Sequence, residues 1–277
     1  MKQAQITDSY ELRDIDFERI SRFVYDFCGI NLHEGKRELV KARLGKRLRQ
    51  GNFRSFSEYF KYVMTEEGMD ELVAMIDSLS TNLTSFFREA DHFDRLSEIV
   101  KEMAASQKHL RLRLWSAGCS TGEEPYTMAI VLSEALAGRN DSVSILATDI
   151  STRVLRTAKA GIYDESKVRN IPQHLLRKYF LKGTGSREGQ YRVKKETAEM
   201  VRFMRFNLKD EPRFHEPFDF IFCRNVMIYF DTDTQQALVD RLYNCLRDGG
   251  YLFVGHSEGL TGLKHRFRYI VPSVYRR

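Results

Sequence analysis

The segment Leu114-Trp115-Ser116-Ala117-Gly118-Cys119-Ser120-Thr121-Gly122-Glu123-Glu124-Pro125 constrains this chain more than any other, because an apolar run gives way to small residues and then to a helix start. Such a succession reads as a strand, a tight turn and a helix. Gly118 and Gly122 fall where the backbone must turn and where a ligand would approach it, and a larger side chain would restrict both. A second apolar run, Val143 to Thr148, ends in Asp149, 27 residues after Gly122. A carboxylate at the end of that strand is placed to accept hydrogen bonds from ribose hydroxyls. Followed by Ser151 and Thr152, it is equally placed to cap the helix carrying Val154 and Leu155.

The three-glycine order of a dinucleotide site is absent. Glu123 and Glu124 instead put two carboxylates in the first helical turn, where they suit the helix dipole and repel a diphosphate. The pattern favours a nucleoside without phosphate, and S-adenosylmethionine fits that description.

Residues 11 to about 105 read as helices, at Asp16 to Phe27, Lys36 to Gln50, Phe56 to Met64, Gly68 to Ile76 and His92 to Ala105. Apolar residues recur there at helical spacing, as in Val40, Leu44 and Leu48, and Gly51-Asn52 stops the second helix. From Leu112 the pattern changes to short apolar runs at Leu112 to Trp115, Val143 to Thr148, Phe218 to Cys223 and Tyr251 to Gly255. These alternate with helical stretches at Pro125 to Ala137, Thr152 to Ala160 and Asp233 to Leu246. Alternation of this kind predicts a doubly wound α/β sheet. The expected organisation is a helical domain over 1–105 and an α/β domain over 106–277, with the boundary in Ser106 to His109. An inserted β-subdomain is expected over 172–206. Its glycine-rich turn, Lys182 to Gly189, is flanked by Tyr179-Phe180-Leu181 and Tyr191-Arg192-Val193, which reads as a hairpin outside the parallel sheet.

A chain of 277 residues is long enough for a sizeable core in one or two domains. No run approaches the roughly 20 apolar residues of a membrane span. Met1-Lys2-Gln3-Ala4-Gln5 begins no signal peptide, so a cytoplasmic location without membrane insertion is expected. Cys28, Cys119, Cys223 and Cys245 form no CxxC pair and have no histidine at ligand spacing, so neither a metal site nor a disulfide framework is expected. The net charge of +6 is uneven: Lys36 through Arg54 holds eight basic residues against Glu38 alone, inside an otherwise acidic N-terminal region. At 100° per residue Lys36, Arg43 and Arg47 lie within about 40° of one another, beside the Val40-Leu44-Leu48 stripe. Such a strip is a candidate surface for an acidic partner, or simply a solvated helix face.

Three stretches carry a resemblance over almost the whole length. They are Thr81-Asn82-Leu83-Thr84-Ser85-Phe86-Phe87-Arg88-Glu89, Ser120-Thr121-Gly122-Glu123-Glu124-Pro125-Tyr126, and Phe222-Cys223-Arg224-Asn225-Val226-Met227-Ile228-Tyr229-Phe230. In this order they resemble the chemotaxis receptor methyltransferases, the CheR family. The resemblance implies a Rossmann-like, doubly wound S-adenosylmethionine-dependent methyltransferase domain with a small antiparallel hairpin insertion, preceded by an all-helical N-terminal domain. It implies methyl esterification of glutamate side chains on the cytoplasmic helices of chemoreceptors, with S-adenosylhomocysteine as product and no metal. It assigns Asn82, Thr84 and Arg88 to a segment closing over the methionine end and the methyl group, Glu124 to the acid beneath the cofactor and Asp149 to the ribose. Asn207 and Leu208 fall to the adenine, Asn225 and Val226 to the methionine moiety, and Tyr229 to the active site. The hairpin resembles a subdomain that docks a short C-terminal receptor peptide, which implies recruitment to membrane receptor arrays through protein contacts.

Each residue also has a plainer reading. Asn82 or Thr84 would cap a helix ahead of Phe86, Arg88 would pair with Glu89 or Asp91, Asn207 would make a turn, and Tyr229 would sit in the core. A glutamate carboxylate is ionised at neutral pH and needs no general base, so Arg88 is expected to orient the incoming carboxylate or close the site. The competing readings are a nucleic-acid methyltransferase and a non-catalytic receptor-binding module. The first lacks the Pro-Pro-aromatic sequence expected after Asn225 to stack a flipped base, having Val226-Met227-Ile228.

Overall fold

A computed structural model describes residues 10–80 and 82–277. Met1 to Gln5 and Thr81 lie outside the described residues. The chain divides into two compact units, Met1–Thr81 and Asn82–Arg277.

In the first unit, α1 (Asp14–Cys28), α2 (Arg37–Gln50), α3 (Phe56–Val63) and α4 (Met69–Leu79) bury Ile20, Val24, Val40, Leu44, Leu48, Tyr59, Val63 and Met75 completely. The ends are set locally. Gly29, at φ 77°, closes α1 by donating its N–H to Tyr25 O, and Ser55 Oγ accepts from Glu58 N at 3.1 Å to open α3.

The helix α5 (Ala90–Ser106) belongs with the second unit, so the compact division falls at Thr81/Asn82 and not in Ser106 to His109. Packing explains the difference. Phe93, Leu96, Ile99 and Val100 of α5 share one core with Leu112 and Leu114 of β1 (Arg111–Ala117) and with Met128, Ala129 and Leu132 of α6 (Glu123–Ala135). A helical period reveals an amphipathic helix but not which core its apolar face joins.

The second unit continues with β2 (Ser142–Asp149), α7 (Thr152–Ala160), β3 (Ile162–Asp164), α8 (Glu165–Val168), α9 (Gln173–Tyr179), β4 (Phe180–Lys182) and β5 (Gln190–Val193). It ends with α10 (Lys195–Ala198), β6 (Val201–Arg205), β7 (Phe218–Cys223), α11 (Thr232–Cys245), β8 (Leu246–Val254), β9 (Arg268–Val271) and β10 (Val274–Arg276). A seven-stranded sheet runs β6-β2-β1-β7-β8-β10-β9. Its first five strands are parallel, and β9 and β10 add an antiparallel edge. Since β1 lies between β2 and β7, the strand order reverses there, and the crevice beyond the carboxyl ends of β1 and β7 is where such sheets bind ligands.

The insertion differs from its expected outline. The paired β4 and β5 are the anticipated hairpin, but β3 joins them in a sheet of order β3-β5-β4, so the subdomain begins before 172. At the other end β6, expected within 172–206, pairs in parallel with β2 and belongs to the main sheet. Its Val-Arg-Phe-Met-Arg pattern reads as a half-exposed strand because it is an edge strand, covered on one side by β2 alone. Among the described residues no helix is long and apolar enough to cross a membrane.

Candidate active site

The turn after β1 is tied to β2. Gly118 N and Cys119 N both donate to Thr148 O at 2.8 Å, and Ser120 N donates to Asp149 Oδ2 at 2.9 Å. Asp149 Oδ1 accepts from Ser151 N at 2.9 Å, while Ser151 Oγ itself caps α7 through Val154 N. The cap and the strand-end acid are therefore different residues. Ser120 Oγ donates to Asn82 O at 3.1 Å, joining segment 82–89 to the turn.

Both turn glycines answer to protein neighbours. At Gly118, φ is 92° and a Cβ would stand 2.4 Å from Val226 Cγ2. At Gly122, φ is 96° and a Cβ would stand 2.8 Å from the Tyr163 hydroxyl, which donates to Thr121 O at 2.7 Å. The turn is thus closely packed, and the start of α6 carries acid: Glu123, fully buried, accepts from Thr121 Oγ1 at 2.6 Å and pairs with Lys167 at 3.2 Å.

Arg224, at the end of β7, is the hub of a polar network the sequence reading passed over. Its side chain is 1% exposed, lies over the Phe93 ring and donates through Nη1 to Glu124 Oε2 at 3.1 Å. Through Nη2 it donates to Glu89 Oε2 at 3.0 Å and to the Arg88 carbonyl. Glu124 Oε1 also accepts from Ser116 Oγ at 2.7 Å, and burial pushes the Glu124 carboxyl up against the opposing pull of Arg224. Asn225 Nδ2 donates to Glu89 Oε1 at 3.1 Å. Asn225 N donates to buried Glu258, which also takes Gly255 N at 2.9 Å and Ile228 N at 3.1 Å. Burial raises the Glu258 pKa in spite of those donors.

Backbone strain collects at the same place. Among the described residues that are not glycine, six have positive φ, and four of them, Phe87, Glu89, Ser120 and Asn225, lie in these linked segments. Conformations of this kind cost about 1–3 kcal/mol each and persist where surrounding structure over-determines them.

The expected residues divide accordingly. Asn82, Arg88, Glu124, Asp149, Asn225 and Val226 are brought into one connected region. Arg88 itself is about one-third exposed, donates through Nη1 to Leu83 O at 2.8 Å and stands with Nε 4.0 Å from Glu89 Oε1. Thr84 offers its carbonyl to Lys167 at 3.4 Å. Asn207 follows Phe206, whose N–H donates to Asp149 O at 3.1 Å, so it lies next to the end of β2; its Oδ1 accepts from Lys209 N in a turn. Leu208 packs on the cluster around Trp115. Tyr229 is half-buried at the end of a short 3₁₀ turn.

Lys36, Arg43 and Arg47 belong to the first unit, and two of the three do not form the outward strip expected. Arg43 donates to Leu79 O at 2.8 Å and Ser80 O at 3.1 Å, capping α4. Arg47 makes a two-pronged pair with Glu71, which also accepts from the Tyr59 hydroxyl at 2.9 Å. Lys36 is half-buried, and the exposed cations of this helix are Lys46 and Arg49.

Glu89, His92 and His256 bring a carboxylate oxygen and two ring nitrogens within 4.8 Å of one another. Donor types alone would suit a divalent ion, but both Glu89 oxygens already take donors and the Arg224 cation stands against them. A cavity of about 520 Å³ lies away from this edge, around Glu211, Arg241, Arg247 and Arg277, and its arginines are each paired with an acid.

Comparison with known proteins relates the whole of this chain to others. Residues 82–275 match the family model described as CheR methyltransferase, SAM binding domain, and residues 15–80 match CheR methyltransferase, all-alpha domain. A chemotaxis protein methyltransferase of Borreliella burgdorferi is 40% identical over 95% of this chain and 94% of its own. Chemotaxis protein methyltransferase 2 of Pseudomonas aeruginosa is 42% identical over 94% and 92%, and the Escherichia coli chemotaxis protein methyltransferase is 41% identical over 98% and 93%.

Proposed function

The chain belongs to the CheR methyltransferase family, and we propose that the carboxyl edge of β1, β2 and β7 is where its reaction takes place. It is an S-adenosylmethionine-dependent protein-glutamate O-methyltransferase that esterifies glutamates of chemoreceptors. The observation that carries the placement is the joining of segments 82–89, 116–124 and 224–226 by Ser120–Asn82, Arg224–Glu124 and Asn225–Glu89 hydrogen bonds at the strand-order reversal.

The donor set suits the cofactor. Glu89 and Glu124 flank one buried guanidinium, Glu258 is held nearby by the backbone N–H groups of Asn225, Ile228 and Gly255, and burial holds Glu124 and Glu258 above their ordinary pKa. A cationic ligand relieves that strain, and the bound cofactor supplies a methyl group on a positively charged sulfur. Asp149 takes the ribose, Asn207 and Leu208 flank the adenine, and Asn82, Thr84, Asn225 and Val226 hold the methionine end. The receptor carboxylate is itself the nucleophile, so the chain has to align it and exclude water. Arg88 and Tyr229 do the aligning; neither needs to move a proton. Strong stabilisation of the separated charges would raise the barrier, which accords with a one-third exposed Arg88 whose carboxylate neighbour stands at 4.0 Å.

Receptor contact is assigned to two surfaces. The exposed Lys46 and Arg49 of α2, with Lys36, face an acidic receptor helix, while Arg43 and Arg47 hold α2 to α4. The β3-β5-β4 sheet leaves two edge strands, and Leu181 on β4 is 55% exposed, which suits addition of a receptor C-terminal peptide as a further strand. Both contacts recruit the chain to cytoplasmic receptor arrays.

Incubation with methyl-labelled S-adenosylmethionine and receptor cytoplasmic fragments should give base-labile label on glutamate. Label on nucleic acid instead, or none with the cofactor bound, refutes the assignment.

A further inference from the structure

Glu89 follows Arg88 directly and opens α5 from a left-handed conformation, φ 56° and ψ 65°. Its carboxylate is gripped from two further turns: Oε1 accepts from Asn225 Nδ2 at 3.1 Å, and Oε2 from Arg224 Nη2 at 3.0 Å and from His256 N at 3.3 Å. An ionised carboxylate only accepts, whereas a carboxamide donates at one end and accepts at the other. With its NH₂ turned to Glu89, Asn225 must direct Oδ1 elsewhere. Burial works against the Glu89 charge, but the hydrogen bond from Asn225 and the charge of Arg224 outweigh it and hold its pKa below the ordinary value. The amide has little room to turn as a unit. Asn225 sits at φ 59°, its N–H is bound by Glu258, and a Cβ at Gly255 would stand only 2.6 Å from Nδ2.

We propose that Glu89 is a positioning residue that fixes the polarity of the Asn225 amide, so that the site offers a carbonyl acceptor and selects ligands bearing a protonated α-amino group. The proposal rests on the placement of Asn225 at the methionine end. An amide turned the other way would offer NH₂ and prefer the carboxylate at that end of the ligand. Glu89 thus couples the segment carrying Arg88 to ligand recognition without touching the ligand.

The test is calorimetric binding of S-adenosylhomocysteine and of its analogue lacking the α-amino group to the full chain. The intact protein should prefer the amino ligand by about tenfold or more, the size of a hydrogen bond to a charged group. In Glu89→Gln, whose amide oxygen keeps the two donors Arg224 Nη2 and His256 N and whose NH₂ therefore turns to Asn225, that preference should shrink several-fold while the deaminated analogue binds as before. Equal weakening of both ligands would mean a merely structural role and overturn the proposal. An undiminished preference in Glu89→Gln, with the preference lost in Asn225→Ala, would overturn it while leaving Asn225 in the cofactor site. An undiminished preference in Asn225→Ala would instead remove Asn225 from that site. Should Glu89→Gln fold poorly, the pair exchange decides: Asn225→Asp alone sets two carboxylates together and should lose binding, and adding Glu89→Gln should restore both affinity and amino preference. No rescue in the double variant counts against the coupling.

Discussion

Arg224 and Arg47 are both paired with carboxylates, yet they occupy different physical regimes. Arg47 is about one-quarter exposed and shares a single acid, Glu71, on the surface of the helical unit. Arg224 is 1% exposed and balances Glu89 and Glu124, with the Arg88 carbonyl as a further acceptor. In a partly solvated pair, losing one partner lets water replace it; in a buried one, the remaining charge has nowhere to go. The first kind of pair trims a helix packing, and the second dictates where three segments must meet.

Replacement of each arginine by methionine measures that difference. Arg224→Met leaves buried carboxyls uncompensated and should cost about 3–5 kcal/mol of unfolding free energy, with loss of S-adenosylhomocysteine binding. Arg47→Met should cost about 1 kcal/mol or less and leave that binding intact. Urea denaturation of the two variants would break the comparison if the costs came out equal.

A smaller effect separates the regions by pH. His92 is 1% exposed, and burial, reinforced by Arg224, lowers its pKa from 6.5 to about 4 in spite of Asp91 and Glu89 nearby. Between those values the unfolded chain binds the proton and the folded chain does not. Stability therefore rises with pH from about 4 to 6.5 and is lost on acidification through the same window, by about 3 kcal/mol. Glu124 and Glu258, with raised pKa values, act in the opposite sense, favouring the folded state as pH falls toward the ordinary carboxylate range. The His92 contribution is isolated as the difference between the intact protein and His92→Leu, which should lose stability less steeply between pH 6.5 and 4. Parallel stability curves would mean that the imidazole is already protonated in the folded state.

Much of this arrangement was legible in the chain, and the illegible parts share a cause. The glycine turn, Asp149 at a strand end and the four long parallel strands follow from periodicity and turn chemistry, which are local. β6, β9 and β10 are strands of three to five residues at the margins of the sheet, β6 and β9 being its edges, with cationic side chains interrupting their apolar pattern. Arg224 and Glu89 sit inside the very motifs that pointed to the site, yet their roles depend on partners 100 and 135 residues away along the chain. An arginine between a cysteine and an asparagine in sequence says nothing of which acids it will face. Arg43 and Arg47 show the converse: angular spacing on a helix put them on one face, but the carbonyls and the acid that occupy them come from α4.

The smallest effect bears on the same helix. If Arg43 and Arg47 are internal fasteners, charge reversal there confounds stability with recognition, and the outward pair Lys46 and Arg49 gives the cleaner reading. Lys46→Glu with Arg49→Glu should raise the receptor KM several-fold at low salt while changing kcat and cofactor affinity little, because exposed charges act mainly on encounter. The difference from the intact protein should fade as salt rises toward about 1 M, where the screening length falls to roughly 3 Å. A double reversal that leaves the receptor KM and its salt dependence unchanged would confine the basic helix to holding its own domain together, and would leave the exposed edge of the β3-β5-β4 sheet as the surface through which receptors are met.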